Sequence, residues 1–448
     1  MLYPKGSPKV LIFGLGLNGG GVGMAKYFTR RGFSVTVTDL KTKTELKESL
    51  NKLKKYPIKY ILGKHREKDF IENDIIVVNP AVPPNNKYLK LAKKHNKKII
   101  IELLYVIDNF PGKIIGITGT KGKTTTTMLI YSILKEHFKN TDTNVYVGGN
   151  IRTSTVDILK TAKPKDIAIL EIPSYQLEHI NLIKKSPNIS VITNLGEDHI
   201  NWHKTIENYH RAKKNIFKYQ KEKDILVVRK EMLRKISKYK IPSKVLIAKK
   251  VNKNTAKNFK LKGAHNQRNL SLAITTTKAM KVEEKTINKA IQEFNSVPFR
   301  QEVVTEINKV KFINDTTSTN LRALKAAINT FKDSYNKRII LILGGVDKNL
   351  DYRKVKNSIE KYTKAIILLE GSTSEKIYKV LDKKKVTIFK FYKSLEKAVK
   401  KAYEVSSKGD VVVLSPAASS FNMFKNEFDR GEQFNEIVKK LYEKEALK

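Results

Sequence analysis

Residues 114–134 read IIGITGTKGKTTTTMLIYSIL: an apolar, β-branched run, then Gly-Thr-Lys-Gly-Lys-Thr, then a helix-forming stretch. A strand that runs through a glycine-rich loop into a helix gathers backbone N–H groups and a helix N-terminus at one point. That is an anion cradle, and α/β sheets present it at the carboxyl edge of their strands. Gly119, Thr120, Lys121, Gly122 and Thr125 line the loop, Lys123 can reach the β and γ phosphates, and the Thr124 hydroxyl can join a Mg2+ shell. The strict G-x-x-x-x-G-K-[ST] pattern asks for glycine where the chain has Ile117. Gly116 and Gly119 flank that position, so the loop is a variant. A ligand-free glycine turn is the bland reading; the strand context and Lys-Thr at the helix start point to ATP instead.

A second loop lies near the N-terminus, in VLIFGLGLNGGGVGMAKYFTRRGFSVTVTD. Gly14, Gly16 and Gly19 satisfy G-x-G-x-x-G, and Asp39 follows twenty residues after Gly19. Alone this is a dinucleotide fingerprint and would suggest an NAD-dependent dehydrogenase. Beyond it, strand-like runs alternate with amphipathic stretches, which predicts α/β architecture with mostly parallel sheets. Strands are expected at 10–16, 34–39, 59–63 and 74–83, then in KIIGITG, TNVYVGGN, DIAILEI and SVITNLGEDH, then in KRIILILGGVD, KAIILLEGS and DVVVLSPAASS. The segment ELLYVIDNFPG (102–112), ending in Pro-Gly, reads as a hinge, and a third unit is expected from VPFR (297–300). A length of 448 residues suits roughly two to four domains.

Composition removes several classes. With no cysteine there is no disulfide and no thiolate metal site. No run approaches the ~18 apolar residues of a membrane span, so no membrane insertion is expected. The start MLYPKGSPK lacks the apolar core of a signal peptide, and a cytoplasmic protein is the simple expectation. The 88 Lys+Arg against 43 Asp+Glu give a net charge of +45. Nucleic-acid binding would explain clustered cations, but these are spread along the chain and read as a lysine-biased surface that also suits anionic small molecules.

Three downstream clusters suggest a use for ATP. Glu171 closes an apolar run and can be a hard oxygen ligand or a helix cap. Asp198, His199 and His203 follow another strand end; the histidines have i, i+4 spacing, but H-E-x-x-H is absent and a structural role competes. Lys213 and Lys214 sit in a helical stretch, where a solvated face is the usual explanation.

The order of these pieces is more specific than any one of them. GITGTKGKTTT, VGGNI (147–151), LEIPSYQLE (170–178), ITNLGEDH (192–199), RAKKNIF (211–217), KGAHNQRN (262–269), PFRQE (298–302), INDTTSTN (313–320) and LSPAASSFNMFKN (414–426) occur in one succession. Across essentially the whole chain this resembles the Mur ligase family, ATP-dependent amide ligases of peptidoglycan synthesis, and within it the branch that adds glutamate. The resemblance implies three domains: a Rossmann-like UDP-substrate domain (1–101), a central ATPase (102–297) and a Rossmann-like amino-acid domain (298–448). It implies a monomer using ATP and two Mg2+, with UDP-N-acetylmuramoyl-L-alanine and glutamate as substrates and neither NAD nor nucleic acid. A carboxylate attacks the γ-phosphate, and the glutamate amine then displaces phosphate from the acyl phosphate.

Carried over by position, Lys123 would hold phosphate, Thr124 and Glu171 a first Mg2+, and His199 a second. Lys213, or Lys214 if the match slips by one, would be the carbamylated lysine of the family, an anionic oxygen ligand made from a cation. Asn150 would contact substrate, Asn266 and Asn269 the adenine side, and Arg300 and Asp315 the nucleotide. Gly16, Leu17, Asn18, Asp39, Leu40, Lys41, Asn79 and Pro80 would form the uridine diphosphate pocket, so the first loop holds UDP rather than NAD. Thr317, Thr319, Lys348, Ser420 and Phe421 would meet glutamate. The chain departs from the family at Thr317, where a lysine is frequent, at Pro173 for a serine, and at Glu427 for an aromatic, with Phe428 one step later. Two of these changes touch the amino-acid pocket, so D-glutamate is the first expectation and L-glutamate the second. A folylpolyglutamate-type ligase would lack the N-terminal G-x-G domain, and a dehydrogenase would have no use for GTKGKT, Glu171 and His199 together.

Overall fold

Short β-branched runs separated by helices build the chain, and the computed structural model describes residues 7–447 apart from 18, 150–153, 199, 238, 262, 295, 296, 348, 349 and 421, and apart from the side chains of 200 and 201. The first sheet holds β1 (Lys9–Phe13), β2 (Ser34–Asp39), β3 (Ile58–Leu62), β4 (Ile75–Val78) and β5 (Lys98–Ile100), in the order β3-β2-β1-β4-β5. All its pairs are parallel. Val10, Leu11, Ile12 and Phe13 are buried, as expected of a central parallel strand covered on both faces. Strand order reverses at β1, and the Gly14–Gly16 turn leaves the sheet at that point, where open α/β sheets bind ligands.

The second sheet holds β6 (Lys113–Thr118), β7 (Val145–Gly149), β8 (Ile167–Glu171), β9 (Ile189–Ile192), β10 (Ile225–Val228) and β11 (Lys244–Ile247). Its order is β11-β10-β9-β6-β8-β7, again all parallel. Here β6 lies at the reversal, so the loop 119–122 emerges between the ends of β8 and β9. The third sheet holds β12 (Glu302–Ile307), β13 (Val310–Asn314), β14 (Ile339–Leu343), β15 (Thr363–Leu369), β16 (Thr387–Tyr392) and β17 (Val411–Leu414), in the order β12-β13-β17-β14-β15-β16. Only β12 and β13 pair antiparallel among the described strands of this sheet. Two compact units result, Met1–Asn258 with Ala264–Glu293, and Phe259–Gly263 with Phe294–Lys448. The first contains the first two sheets and the second contains the third.

The expected α/β class and mostly parallel sheets are observed. The segment read as a hinge is different: Glu102–Asn109 is a helix that buries Leu103, Leu104, Val106 and Ile107. Those four side chains belong to one apolar core that runs from Val10 of β1 to Ile114 of β6. Their spacing gives the helix a buried stripe, and Pro111 follows its end. Strands β5, β10, β11, β12, β13 and β16 were not among those read from the sequence. Among the described residues no helix is long and apolar enough to cross a membrane.

Aromatic packing closes the first sheet on one side. Phe70 meets Phe13 edge-on at 4.8 Å between ring centroids and stacks on Tyr88 at 4.7 Å. Because Phe70 is fully buried, Phe70→Ala is expected to destabilise the first unit by about 3–5 kcal/mol. A lower denaturant midpoint in urea unfolding followed by far-UV circular dichroism checks this; an unchanged midpoint contradicts it.

Candidate active site

Gly122 takes a left-handed conformation (φ 83°) just before the helix Lys123–His137. A Cβ there would also stand 2.3 Å from Asn269 Oδ1, so glycine is required for both reasons. The loop is braced by the residues that follow β9. Thr120 N donates to Asn194 O (3.0 Å), Lys121 N to Asn194 Oδ1 (3.0 Å), and Asn194 Nδ2 and Thr193 Oγ1 both donate to Lys121 O (2.7 and 2.6 Å). Gly196 N donates to Thr120 Oγ1 at 2.9 Å. Lys121 Nζ reaches Asp198 at 3.2 Å. The frame therefore comes from ITNLGED (192–198), within which the sequence alone points to Asp198 as a candidate site residue.

Glu171 ends β8 beside this loop, in register with Ile117 of β6 and Gly149 of β7. The Thr124 hydroxyl donates to Glu171 Oε2 at 2.7 Å. Two hard oxygen donors are thus held together at the helix N-terminus, the donor chemistry that a divalent cation takes. Lys123 Nζ donates to Gly119 O at 3.0 Å, and Lys213 Nζ donates to the same carbonyl at 2.9 Å. Lys213 is only 1% exposed. Burial, followed by the neighbouring Lys123 charge, pushes its amine down to about 6, and Asp198 and Glu171 only partly oppose this. Lys214 goes elsewhere, over the Tyr239 ring at 3.7 Å. The two adjacent lysines are therefore separated by packing, with Lys213 at the phosphate loop.

His203 is held on both ring nitrogens: Nδ1 lies 2.7 Å from Glu178 Oε1 and Nε2 2.9 Å from Ser174 Oγ. Trp202 Nε1 donates to the other Glu178 oxygen at 3.0 Å. Desolvation lowers the His203 pKa despite Glu178, consistent with a neutral ring. This ties the turn after Glu171 to the helix Ile200–His203. The structural reading of His203 holds, and its partners Ser174 and Glu178 lie within LEIPSYQLE. Tyr209 was missed: its ring lies 4.4 Å from Lys213 Nζ, and its hydroxyl donates to Thr120 Oγ1 at 3.3 Å. Asn266 and Asn269 are buried in the first turns of the helix Ala264–Ala279, and Asn269 lies against Gly122.

At the reversal of the first sheet, Asp39 organises the turn. Its oxygens accept from Gly16 N (3.1 Å) and Lys41 N (2.9 Å). Asn79 Nδ2 donates to Gly14 O at 3.1 Å, while Pro80 follows it in the chain. Leu17 and Leu40 stand 56% and 66% exposed there, two apolar side chains at the edge where open α/β sheets bind ligands. His65 was also missed; its Nδ1 lies 2.7 Å from Thr38 Oγ1, one residue before Asp39. Asn18, Asn150, His199, Lys348 and Phe421 lie outside the described residues.

The second unit has its own polar cluster after β13 and β17. Asp315 accepts from Gln301 N (3.2 Å) and Ser415 Oγ (3.0 Å), with the Arg300 charge nearby. Thr317 Oγ1 donates to Phe299 O at 2.9 Å, and Thr319 is half-buried two residues on. Ser420 Oγ is buried with no hydrogen-bond partner among the described residues. Arg430, fully buried, donates to Thr316 Oγ1 and O (both 3.0 Å), and its Nη1 has no hydrogen-bond partner among the described residues. It was missed because FDRG gives no local sign of burial. Burial raises the Asp315 pKa to about 7, against an ordinary value of 3.8. A raised carboxyl stabilises the fold fully below about pH 4, and that contribution is lost as pH rises through 7. Asp315→Asn is therefore expected to stabilise the second unit relative to wild type more at pH 8 than at pH 5. The gain is on the order of 3–4 kcal/mol at most; melting curves at the two pH values check it.

Three family models match in sequence order. "Mur ligase MurD-like, N-terminal domain" spans 8–101, "Mur ligase middle domain" 117–292 and "Mur ligase, glutamate ligase domain" 299–418. The UDP-N-acetylmuramoylalanine--D-glutamate ligase of Roseiflexus sp. (strain RS-1) is 34% identical, covering 96% of this chain and 98% of that protein. Among solved structures, UDP-N-acetylmuramate-alanine ligase MurC from Thermotoga maritima aligns with a TM-score of 0.63 at 20% identity, over 96% of this chain and 99% of that one. MurF ligase from Thermotoga maritima, solved in complex with ADP, gives a TM-score of 0.58 at 17% identity, over 92% and 95%. These two likenesses concern the fold, and the sequence matches carry the assignment: the chain belongs to the Mur ligase family.

Proposed function

We propose that this chain joins D-glutamate to the carboxylate of UDP-N-acetylmuramoyl-L-alanine at the expense of ATP, as a monomer, in the cytoplasmic synthesis of peptidoglycan precursors. The observation that carries the reading is the Thr124–Glu171 pair beside buried Lys213 at the phosphate loop. That constellation lies in a chain that the three Mur ligase models cover in order. Residues 1–101 are assigned the uridine nucleotide, 102–297 ATP and 298–448 the incoming amino acid.

The chemistry follows from the substrates. A substrate carboxylate oxygen bonds to the γ-phosphorus of ATP and ADP leaves. The resulting acyl phosphate accepts the deprotonated glutamate amine, and phosphate leaves as the C–N bond forms. Both steps bring negative charge together, so the protein's task is positioning and neutralisation. The backbone amides of 119–122 and Lys123 cradle phosphate, while Asn266 and Asn269 line the adenine side. Thr124 and Glu171 would hold one Mg2+, and His199 with carbamylated Lys213 a second, and these ions would supply charge neutralisation and templating. Arg300 and Asp315 engage the nucleotide, and Asn150 the sugar peptide. Gly16, Leu17, Asn18, Asp39, Leu40, Lys41, Asn79 and Pro80 hold UDP; Thr317, Thr319, Lys348, Ser420 and Phe421 hold glutamate. Thr317 and Glu427, at positions where the family has a lysine and an aromatic, give L-glutamate as the second reading.

Lys213 suits carbamylation because an amine held near 6 is largely neutral at pH 7–8 and can attack CO2, losing a proton as its N–C bond forms. The product carbamate is anionic, which relieves the like-charge crowding from Lys123.

Phosphate release from ATP should require both UDP-N-acetylmuramoyl-L-alanine and glutamate, with the D-isomer at least tenfold faster than the L-isomer. Turnover with neither isomer by folded, Mg2+-supplied protein would remove the ligase assignment. Lys213→Ala should lower kcat by about three orders of magnitude, the scale of losing electrostatic stabilisation at one position, with partial rescue by short carboxylates. Carbon-13 NMR with labelled bicarbonate should show one carbamate in wild type that Lys213→Ala lacks, and its loss below about pH 6 should match the acid limb of activity. A fully active Lys213→Ala would exclude this residue.

A further inference from the structure

The G-x-G-x-x-G pattern accounts for Gly14, Gly16 and Gly19 but not for the glycines that follow, Gly20, Gly21 and Gly23. Within the helix Gly20–Arg30 a glycine costs about 1 kcal/mol relative to alanine, so each needs a reason. A Cβ at Gly21 would stand 2.4 Å from Leu15 O, which is local turn packing. The other two face a different element. A Cβ at Gly20 would stand 2.6 Å from Glu102 Oε2, and one at Gly23 only 1.8 Å from Ser154 Oγ. Tyr27 continues the same helix face, with its hydroxyl 3.4 Å from that of Tyr105.

Glu102 lies between the first and second sheets, at the start of the helix Glu102–Asn109. Its Oε1 accepts from Ser154 Oγ at 2.5 Å and Val156 N at 3.2 Å, and Thr155 N is a further donor. The carboxylate thus caps the short 3-10 helix Thr155–Lys160 from a distant part of the chain; Ser154, at the N-cap position, makes no cap bond of its own. Burial pushes the Glu102 pKa up, while Ser154, Val156 and Thr155 oppose the rise by binding the ionised form and Asp157 adds to it. Thr155 extends the connection: Gly149 N donates to Thr155 Oγ1 at 2.9 Å, and Gly149 pairs with Glu171. Glu171 in turn accepts from Thr124. Described contacts therefore run from the glycine-rich helix, through Glu102 and Thr155, to the carboxylate at the phosphate loop.

We infer that Glu102 is a positioning residue that sets the register between the diphosphate-binding helix Gly20–Arg30 and the phosphoryl-transfer site at Glu171, so that a substrate long enough to touch both is bound in reactive alignment. The inference rests on the proposed uridine-linked substrate. A ligand that occupies only the first sheet is indifferent to this register, and a ligand that spans both sites depends on it. Gly20 and Gly23 are small because the carboxylate and Ser154 occupy the space that their side chains would need.

The test is calorimetric binding of UDP alone and of UDP-N-acetylmuramoyl-L-alanine to wild type, Glu102→Ala, Glu102→Gln and Ser154→Ala, with steady-state kinetics alongside. UDP affinity should stay within twofold throughout. Affinity for the long substrate should fall at least tenfold in Glu102→Ala and about threefold in Ser154→Ala, with a parallel rise in its KM and an unchanged KM for ATP. Glu102→Gln keeps an acceptor oxygen and should recover affinity to within threefold of wild type. Equal losses for both ligands would mean a merely structural role and overturn the inference, as would wild-type affinity for the long substrate in Glu102→Ala and Ser154→Ala. If Glu102→Ala does not fold, Ser154→Ala, which leaves the bonds from 155 and 156 in place, decides by the same ratio. Wild-type protein that binds UDP but not the long substrate overturns the substrate reading and this inference with it, whereas an unchanged ratio in competent protein overturns this inference alone.

Discussion

One carbonyl oxygen, that of Gly119, accepts hydrogen bonds from two lysines, and most of the catalytic unit is arranged around that crowding. Lys123 approaches from the helix behind the loop and Lys213 from a helix ninety residues later. A buried and a half-buried ammonium group at one oxygen are unfavourable, and burial together with the Lys123 charge pushes the Lys213 amine down to about 6. The consequence is chemical as well as electrostatic, since a neutral buried amine beside a carboxylate can be converted into an anion. Thr193 and Asn194 hold the loop carbonyls and amides in place, Tyr209 shields Lys213, and Glu171 supplies the opposing charge. Each of these depends on the order β9-β6-β8, which brings three strand ends to one edge.

How much of this could be read in advance depends on range along the chain. The phosphate loop was legible because its parts lie within ten residues and their spacing alone dictates strand, turn and helix. Glu171 was legible as the polar end of an apolar run. Thr193 and Asn194 were not singled out, because their role exists only once β9 lies beside β6. Lys213 and Lys214 could not be separated by sequence alone, since adjacent helical residues point about 100° apart and only packing decides which one faces the loop. Residues 102–112 read as a hinge because they end in Pro-Gly, but the buried leucines, valine and isoleucine of the helix Glu102–Asn109 join two sheets in one core. Asp39 is expected in the uridine diphosphate pocket, and the structure shows both its oxygens accepting backbone amides of the turn. Arg430 carried no local signal, being a charged residue that only the folded third sheet buries.

The net charge of +45 fits the same picture. Lysines are scattered over turns and helix faces, and some serve structural acceptors, such as exposed Lys337 on the carbonyls of Glu360 and Lys385 and half-buried Lys364 on Ser407 and Asp410. A diffuse positive field suits a protein whose proposed ligands are a nucleotide triphosphate, a nucleotide diphosphate sugar and a dicarboxylate. It requires no dedicated polyanion surface.

The chain's only tryptophan is Trp202, and its indole donates to Glu178 in the same small network that clamps His203 and Ser174. Evolution has thereby left a spectroscopic gauge inside the catalytic unit. Because no second indole dilutes its emission, ultraviolet fluorescence of the unlabelled protein reads out this one corner, where the turn after Glu171 meets the helix that leads toward Lys213. Any rearrangement of that corner can be followed in real time without dyes, coupling enzymes or altered residues.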